Sequence, residues 1–149
     1  MEIRSFEKSD LAQLIELMQD LAAFEGYLEE FTVTESELES RGLCDDPEFY
    51  CLVAVQQGQV QGYLVYLRSE FTFNLKPNFV MKELFVAEPA RGQRIGDELI
   101  SALKQRAVAQ GIGNINWLVL PQNHAAKRFY QRQGGAHDVS WEWWQLRVS

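Results

Sequence analysis

The chain is poor in cysteine, histidine, proline and basic residues, and each scarcity closes off a class of protein. Two cysteines, Cys44 and Cys51, are too few for a disulfide framework in 149 residues, and a reducing compartment keeps such residues as packed thiols. The two histidines, His124 and His137, stand far from the cysteines in sequence, so no metal-ligand spacing exists and no metal is expected. Lys and Arg number 14 against 21 Asp and Glu, a net charge of -7. Binding a polyphosphate backbone depends on clustered cations, so nucleic acid is not an expected partner. The acidity serves either solubility or the attraction of a small cation. No apolar run approaches the roughly 20 residues of a membrane span. The start, Met1-Glu2-Ile3-Arg4-Ser5-Phe6, lacks the basic-then-apolar pattern of a secretion signal. A cytoplasmic protein with no membrane partner is therefore expected.

What is present reads as one globular domain over 1–149, with 46% hydrophobic and 23% charged residues. Met1 to Phe6 reads as a strand. Ser9-Asp10 supplies capping chemistry before the helical spacing Leu11, Leu14, Ile15, Met18, Leu21, Ala22, which fades near Gly26. Thr34 followed by Glu37 is a capping box for a short helix to about Arg41. Tyr50 to Val55 and Val60 to Leu67 flank Gln56-Gln57-Gly58-Gln59 as a hairpin, and Asn78 to Val86 is a further strand. Residues 95 to 110 are helical in period, 115 to 120 a strand, and 125 to 133 a helix ended by Gly134-Gly135. Ser140 to Val148 is expected to close the sheet as a last strand. Its Trp141, Trp143 and Trp144 suit core or dimer packing, or a substrate wall. The order predicts a mixed α/β fold with a central sheet between helices.

The segment from Val86 to Leu99 passes from strand to helix through a short turn. Pro89 stops the strand, and Gly92 and Gly96 permit close backbone approach. The first N–H groups of a helix lack partners within it and sit at the positive end of its dipole, so they converge on an anion. Arg91 and Arg94 would add charge-assisted hydrogen bonds to phosphate oxygens. By itself such a turn is either an anion site or a plain strand-to-helix connection.

Arg91-Gly92-Gln93-Arg94-Ile95-Gly96 resembles the Q/R-x-x-G-x-G/A signature of the GNAT acetyltransferases, with Arg94 in place of the first glycine. The strand end Glu83-Leu84-Phe85-Val86 before it is similar to theirs. Asn123-His124-Ala125-Ala126-Lys127-Arg128-Phe129-Tyr130-Gln131-Arg132-Gln133-Gly134 resembles the family's second block, N-x-x-A-x-x-F-Y-x-x-x-G. The resemblance covers essentially the whole chain. It implies a mixed sheet splayed between the fourth and fifth strands, and acetyl-CoA as the acetyl donor. The pyrophosphate would lie on residues Arg91 to Asp97, and the pantetheine arm would lie along the strand that includes Leu84, Phe85 and Val86, where backbone N–H groups would polarise the carbonyl. Asn123 and Lys127 would contact the coenzyme. Without the family, Asn123 reads as a helix cap.

An amine must lose a proton before it attacks, and the departing thiolate must gain one. The resemblance offers Glu83 as the base and Tyr130 as the acid. The plain alternatives are a Glu83 paired with Lys82 or Arg94, and a core tyrosine. Within the family the chain most resembles the diamine (spermidine/spermine) acetyltransferases, through residues 20–25, Glu29-Glu30, Thr34-Glu35 and Phe49-Tyr50. Glu25, Tyr27, Glu29 and Glu30 on the first connector would then form an acidic rim for a cationic substrate, or Glu29-Glu30 is only a solvated charge pair. Lys82 stands where the polyamine enzymes carry an acid, and the loop from Phe71 to Pro77 also departs from theirs. Both departures turn the expectation from long polyamines toward short diamines or amino acids with side-chain amines. A homodimer is implied as well. Acetylation of a protein amine and a degenerate acetyl-CoA sensor remain as other readings.

Overall fold

The computed structural model describes residues 1–70 and 74–149. Phe71, Thr72 and Phe73, at the head of the loop that departs from the polyamine enzymes, lie outside the described residues. The chain forms two compact units, Met1–Leu118 and Val119–Ser149.

The first unit holds the sheet. Strand β1 (Glu2–Ser5) leads to helix α1 (Leu11–Glu25), which ends at Gly26 in the left-handed conformation, φ 85°. Helix α2 (Glu35–Gly42) starts as its capping box predicts, with the Glu37 N–H donating to Thr34 Oγ1 at 3.2 Å. Strands β2 (Tyr50–Gln56) and β3 (Gln59–Ser69) form the hairpin, whose Gln57 and Gly58 both take positive φ as a tight right-twisting turn requires. Strand β4 (Asn78–Val86), helix α3 (Ile95–Ala109) and strand β5 (Asn114–Trp117) complete the unit.

The strands lie in the order β1-β2-β3-β4-β5, antiparallel except for the parallel pair β4–β5. Alternate side chains serve opposite faces. Cys51, Val53, Tyr63, Val65 and Phe85 join Leu14, Leu17, Met18 and Leu21 of α1 and Leu38 of α2 in one core cluster. On the other face Gly62 leaves room for Ile95 of α3, since a Cβ there would stand 3.1 Å from its side chain. Arg106 of α3 reaches the Tyr66 hydroxyl at 3.4 Å. Helices therefore cover both faces. None among the described residues is long and apolar enough to cross a membrane.

Two irregularities in β4 shape the centre of the sheet. Val65 pairs with Glu83 but Tyr66 pairs with Met81, so Lys82 is an extra residue, a β-bulge. Met81 therefore lies on the α3 side with Tyr66, whereas Glu83 and Phe85 lie on the α1 side with Val65 and Tyr63. In addition, β5 pairs only with Asn78 to Met81. From Lys82 to Val86 the edge of β4 that faces β5 has no strand partner among the described residues. That is the expected splay between the fourth and fifth strands, and β5 ends at Trp117 rather than 120, where its pairing with β4 ends.

In the second unit, helix α4 (His124–Arg132) falls where periodicity places it. The closing strand expected at Ser140 to Val148 does not form, and Trp141, Trp143 and Trp144 are 77%, 74% and 85% exposed rather than in a core. Alternating aromatics suit a strand, but a strand exists only where another backbone pairs with it, and the described chain provides none for this segment.

Candidate active site

Glu83 follows the bulge on the α1 side of the sheet and is partly buried. The Tyr63 hydroxyl donates to its Oε1 at 2.7 Å. Among the described residues no other hydrogen bond reaches the carboxylate. Among the described residues no fully buried side-chain nitrogen or oxygen lacks a partner, so Oε2, which accepts no hydrogen bond there, keeps some contact with solvent. Burial pushes the Glu83 carboxyl above the usual carboxylate range; the Tyr63 hydrogen bond opposes this, the Glu25 charge adds to it, and Lys82 opposes it. Neither Lys82 nor Arg94 makes an ion pair with Glu83; Arg94 lies instead 3.9 Å from Asp97. The plain alternative for Glu83, a surface ion pair, is thereby replaced by a carboxylate held on one oxygen by a phenol.

Glu25, the last residue of α1, and Tyr27, just beyond the left-handed Gly26, belong to the same neighbourhood. Burial, then the charges of Glu83 and Glu25, push the Tyr27 phenol up. Glu29 and Glu30 form an exposed helical turn with Leu28, anchored by the Glu30 N–H on the Tyr27 carbonyl at 3.0 Å. The structure thus brings Glu25, Tyr27, Lys82 and Glu83 into one electrostatic neighbourhood, with Glu29 and Glu30 on the adjoining turn. Tyr63 was not among the residues the sequence singled out. It reads as one more apolar position of a hairpin strand, and only the register of β3 on β4 sets it diagonal to Glu83.

After Val86 the chain makes one helical turn, Glu88–Ala90, and enters α3 through Arg91 to Arg94. Gly92 has φ 84° and Arg94 φ 64°. The left-handed geometry at Arg94 is what a glycine in the signature serves, and an arginine adopts it at a cost of about 1 kcal/mol. The N–H groups of Gly92, Gln93, Arg94, Ile95 and Gly96 have no acceptor among the described residues. A run of open N–H groups at the positive end of a 15-residue helix fits a pyrophosphate. The side chain of Arg94 is exposed. That of Arg91 folds back, its Nε donating to the Val86 carbonyl at 3.1 Å and its guanidinium 5.4 Å from the centre of the Phe85 ring. Arg91 thus ties the turn to the end of β4, and its terminal nitrogens make no hydrogen bond or ion pair among the described residues.

In the second unit Asn123 caps α4, its Oδ1 accepting from the Ala126 N–H at 3.1 Å, as its residue type alone suggests. Lys127 donates to the Pro121 carbonyl. Tyr130 lies on α4 with its ring edge-on to Phe129, centroids 5.5 Å apart.

The sequence pattern of the acetyltransferase (GNAT) family matches residues 14–135. The chain is 29% identical to the spermidine/spermine N(1)-acetyltransferase-like protein 1 of Homo sapiens over 97% of its own length, which is only 22% of that longer protein. It is 28% identical to the thialysine N-epsilon-acetyltransferase of Mus musculus over 95% of this chain and 88% of that one. A crystal structure described as a probable acetyltransferase superposes with a TM-score of 0.86 at 23% identity, covering 100% of this chain and 99% of the other, which speaks for the fold. A family pattern spanning most of the chain, over a splayed sheet and an open-ended α3, places the protein in the acetyltransferase (GNAT) family as an N-acetyltransferase.

Proposed function

We propose that the enzyme transfers the acetyl group of acetyl-CoA to a primary amine of a small cationic substrate, within a ternary complex. The observation that carries the reading is Glu83: a carboxylate with a raised pKa and one open oxygen, on the strand whose free edge runs into the open N–H groups of the turn. The open N–H groups from Gly92 to Gly96, with Arg91, would hold the pyrophosphate, and the unpaired edge from Lys82 to Val86 would receive the pantetheine arm by strand-like pairing.

Glu83 takes the proton of the substrate ammonium, for which a raised pKa suits a base working near neutrality. The amine nitrogen then attacks the thioester carbonyl, whose oxygen the backbone N–H groups of Leu84 to Val86 stabilise as charge develops. The new C–N bond forms, the C–S bond breaks, and the leaving thiolate takes a proton from Tyr130; the second proton shed by the nitrogen as it becomes an amide restores that of Tyr130 by way of solvent, and Glu83 returns its proton to solvent. In this reading residues 1–149 make up one acetyltransferase domain. Tyr130→Phe should lower turnover tenfold or more with acetyl-CoA affinity nearly unchanged; equal turnover would remove Tyr130 from the role.

Glu25 and Tyr27, flanked by Glu29 and Glu30, would receive a second ammonium of the substrate. Lys82 disfavours a long polyamine and suits an acceptor that carries its own carboxylate. The likeness to a thialysine N-epsilon-acetyltransferase and to a spermidine/spermine N(1)-acetyltransferase-like protein agrees with a small amine. Release of coenzyme A should be measured on short diamines, spermidine, lysine, thialysine, ornithine and peptides. Turnover confined to the small amines is expected. Turnover on peptides alone would make this a protein acetyltransferase, and acetyl-CoA binding without turnover a sensor.

Val139, Trp141, Trp143, Trp144, Leu146 and Val148 are all exposed by 74% or more, an apolar run that supports a homodimer with this segment near the interface. A monomer by light scattering would contradict it.

A further inference from the structure

Tyr63 has no exposed surface, and a buried phenol needs a partner for its hydroxyl. Here that partner is Oε1 of Glu83, 2.7 Å away. We propose that Tyr63 is a positioning residue for the base: it pins the Glu83 carboxylate through Oε1 and leaves Oε2 to take the proton of the acceptor amine. This rests on the reading of Glu83 as the base.

The geometry supplies rigidity. The Tyr63 ring belongs to the core cluster with α1 and lies 6.4 Å from the ring of Phe85, its partner across the ladder, so the hydroxyl cannot swing away without disturbing that core. A carboxylate tethered at one oxygen loses rotational freedom before the substrate arrives, which is the form of preorganisation a proton transfer needs.

The chemistry supplies direction. Burial, with Glu83 beside it, drives the Tyr63 phenol far above its usual range, so it remains a donor at every working pH. Among the described residues, the groups that act on Glu83 or feel its charge are Tyr63 from β3, Cys51 from β2, Glu25 at the end of α1, Tyr27 after it, and Lys82 on its own strand. Burial keeps the Cys51 thiol and the Tyr27 phenol neutral, and the charges of Glu25 and Lys82 act in opposite senses. The Tyr63 hydroxyl is the direct contact that favours the ionised carboxylate against burial. Removing it should therefore make Glu83 harder to ionise.

The test is the titration of Glu83 in the full chain, followed by carbon NMR of protein labelled at the glutamate carboxyl carbons, with Glu83→Gln to assign the signal. Tyr63→Phe should raise the midpoint by about one pH unit, the worth of one hydrogen bond to a charged group. The acidic limb of kcat/KM should move up equally and the plateau should fall about tenfold, with the KM for acetyl-CoA unchanged. The kinetic probe is acetyl-CoA with thialysine, or with putrescine if thialysine gives no turnover. A fluorinated tyrosine at position 63, a stronger donor of nearly the same size, should move the midpoint down instead, and it carries the test alone if the Phe variant does not fold. A midpoint that stays put in a folded variant overturns the proposal. If the midpoints move as expected but Glu83→Gln keeps the wild-type acidic limb, the base reading falls and the catalytic role of Tyr63 falls with it, leaving only a structural hydrogen bond.

Discussion

At the N-terminal end of α1 the carboxylate of Asp10 is buried and fully paired, while near the C-terminal end that of Glu83 is partly buried with one phenol as its partner. Asp10 is 4% exposed and accepts hydrogen bonds from the two terminal guanidinium nitrogens of Arg4, at 2.7 and 3.1 Å, and from the Glu7 N–H at 2.7 Å. Burial alone would raise its pKa, but the Arg4 hydrogen bonds, the Glu7 N–H and the Arg4 charge together hold it below the usual carboxylate range. At Glu83 burial wins, because the Tyr63 hydrogen bond and the Lys82 charge oppose it only in part and the Glu25 charge adds to it. In the proposed mechanism the pairing decides which carboxylate is inert and which is reactive. Asp10 joins β1 to the start of α1, whereas Glu83, with one phenol on one oxygen and a raised pKa, is the one that would act as the base.

The largest effect should come from emptying the reactive end. Glu83→Gln should lower kcat/KM by about 10²–10⁴-fold at neutral pH and abolish the acidic limb of the pH–rate profile. A limb that persists would assign the base elsewhere and undo the contrast. Emptying the inert end should damage stability and spare the chemistry. Asp10→Ala leaves Arg4 without its main partner and should destabilise the fold by about 3 kcal/mol, the low end for breaking a buried pair because Arg4 also meets Glu2 at 2.8 Å. The melting temperature should fall by roughly 10 °C, with the acidic limb of the folded enzyme unmoved.

Acid titration separates the two ends by sign. Asp10 has a depressed folded pKa, so its contribution is present above the unfolded value, about 3.9, and is lost as pH falls through the folded one. Glu83 has a raised folded pKa, so it opposes folding at neutral pH and ceases to do so as pH falls toward its unfolded value, about 4.3. Glu83→Gln should therefore raise the melting temperature at pH 7 by roughly a degree or two, and by less at pH 4. An equal gain at both pH values would mean that burial of the charge is not the cause. The smallest change is expected from Arg94→Gly. It relieves the left-handed geometry but adds freedom to the unfolded chain, so stability should move by only about 0.5 kcal/mol. If backbone N–H groups hold the pyrophosphate, the KM for acetyl-CoA should rise by less than about threefold. A tenfold rise would show that the Arg94 side chain is the contact.

Most elements were legible along the chain because their causes are local. The spacing from Leu11 to Ala22 makes an apolar helix face, Thr34 supplies a cap oxygen, Gln57-Gly58 accepts positive φ, and Pro89 ends β4. The strand-to-helix turn was legible for the same reason, since open N–H groups follow from any helix start. The segment from Ser140 to Val148 was misread because its alternation is real but a strand also needs a neighbour. Tyr63 went unnoticed because nothing within its own strand marks it off from Tyr66. One faces α1 and meets Glu83, and the other faces α3 and meets Arg106.

The sequence by itself determined the order of the elements from β1 to α4, the Thr34 and Asn123 caps and the strand-to-helix turn, all set by interactions within a few residues; Asp10, expected to cap α1, makes no capping hydrogen bond to it and pairs with Arg4 instead. The tertiary structure alone decided which face Glu83 occupies. Simple alternation from Phe79 and Met81 would send it toward α3, and only the pairing of β3 against β4 reveals Lys82 as the extra residue that turns it to the α1 side. Register between strands some twenty residues apart is a non-local property, settled by which packing buries both faces of the sheet. The proposed role of Glu83 depends on that one-residue displacement, because it places the carboxylate beside Tyr63 and in the electrostatic neighbourhood of Glu25 and Tyr27.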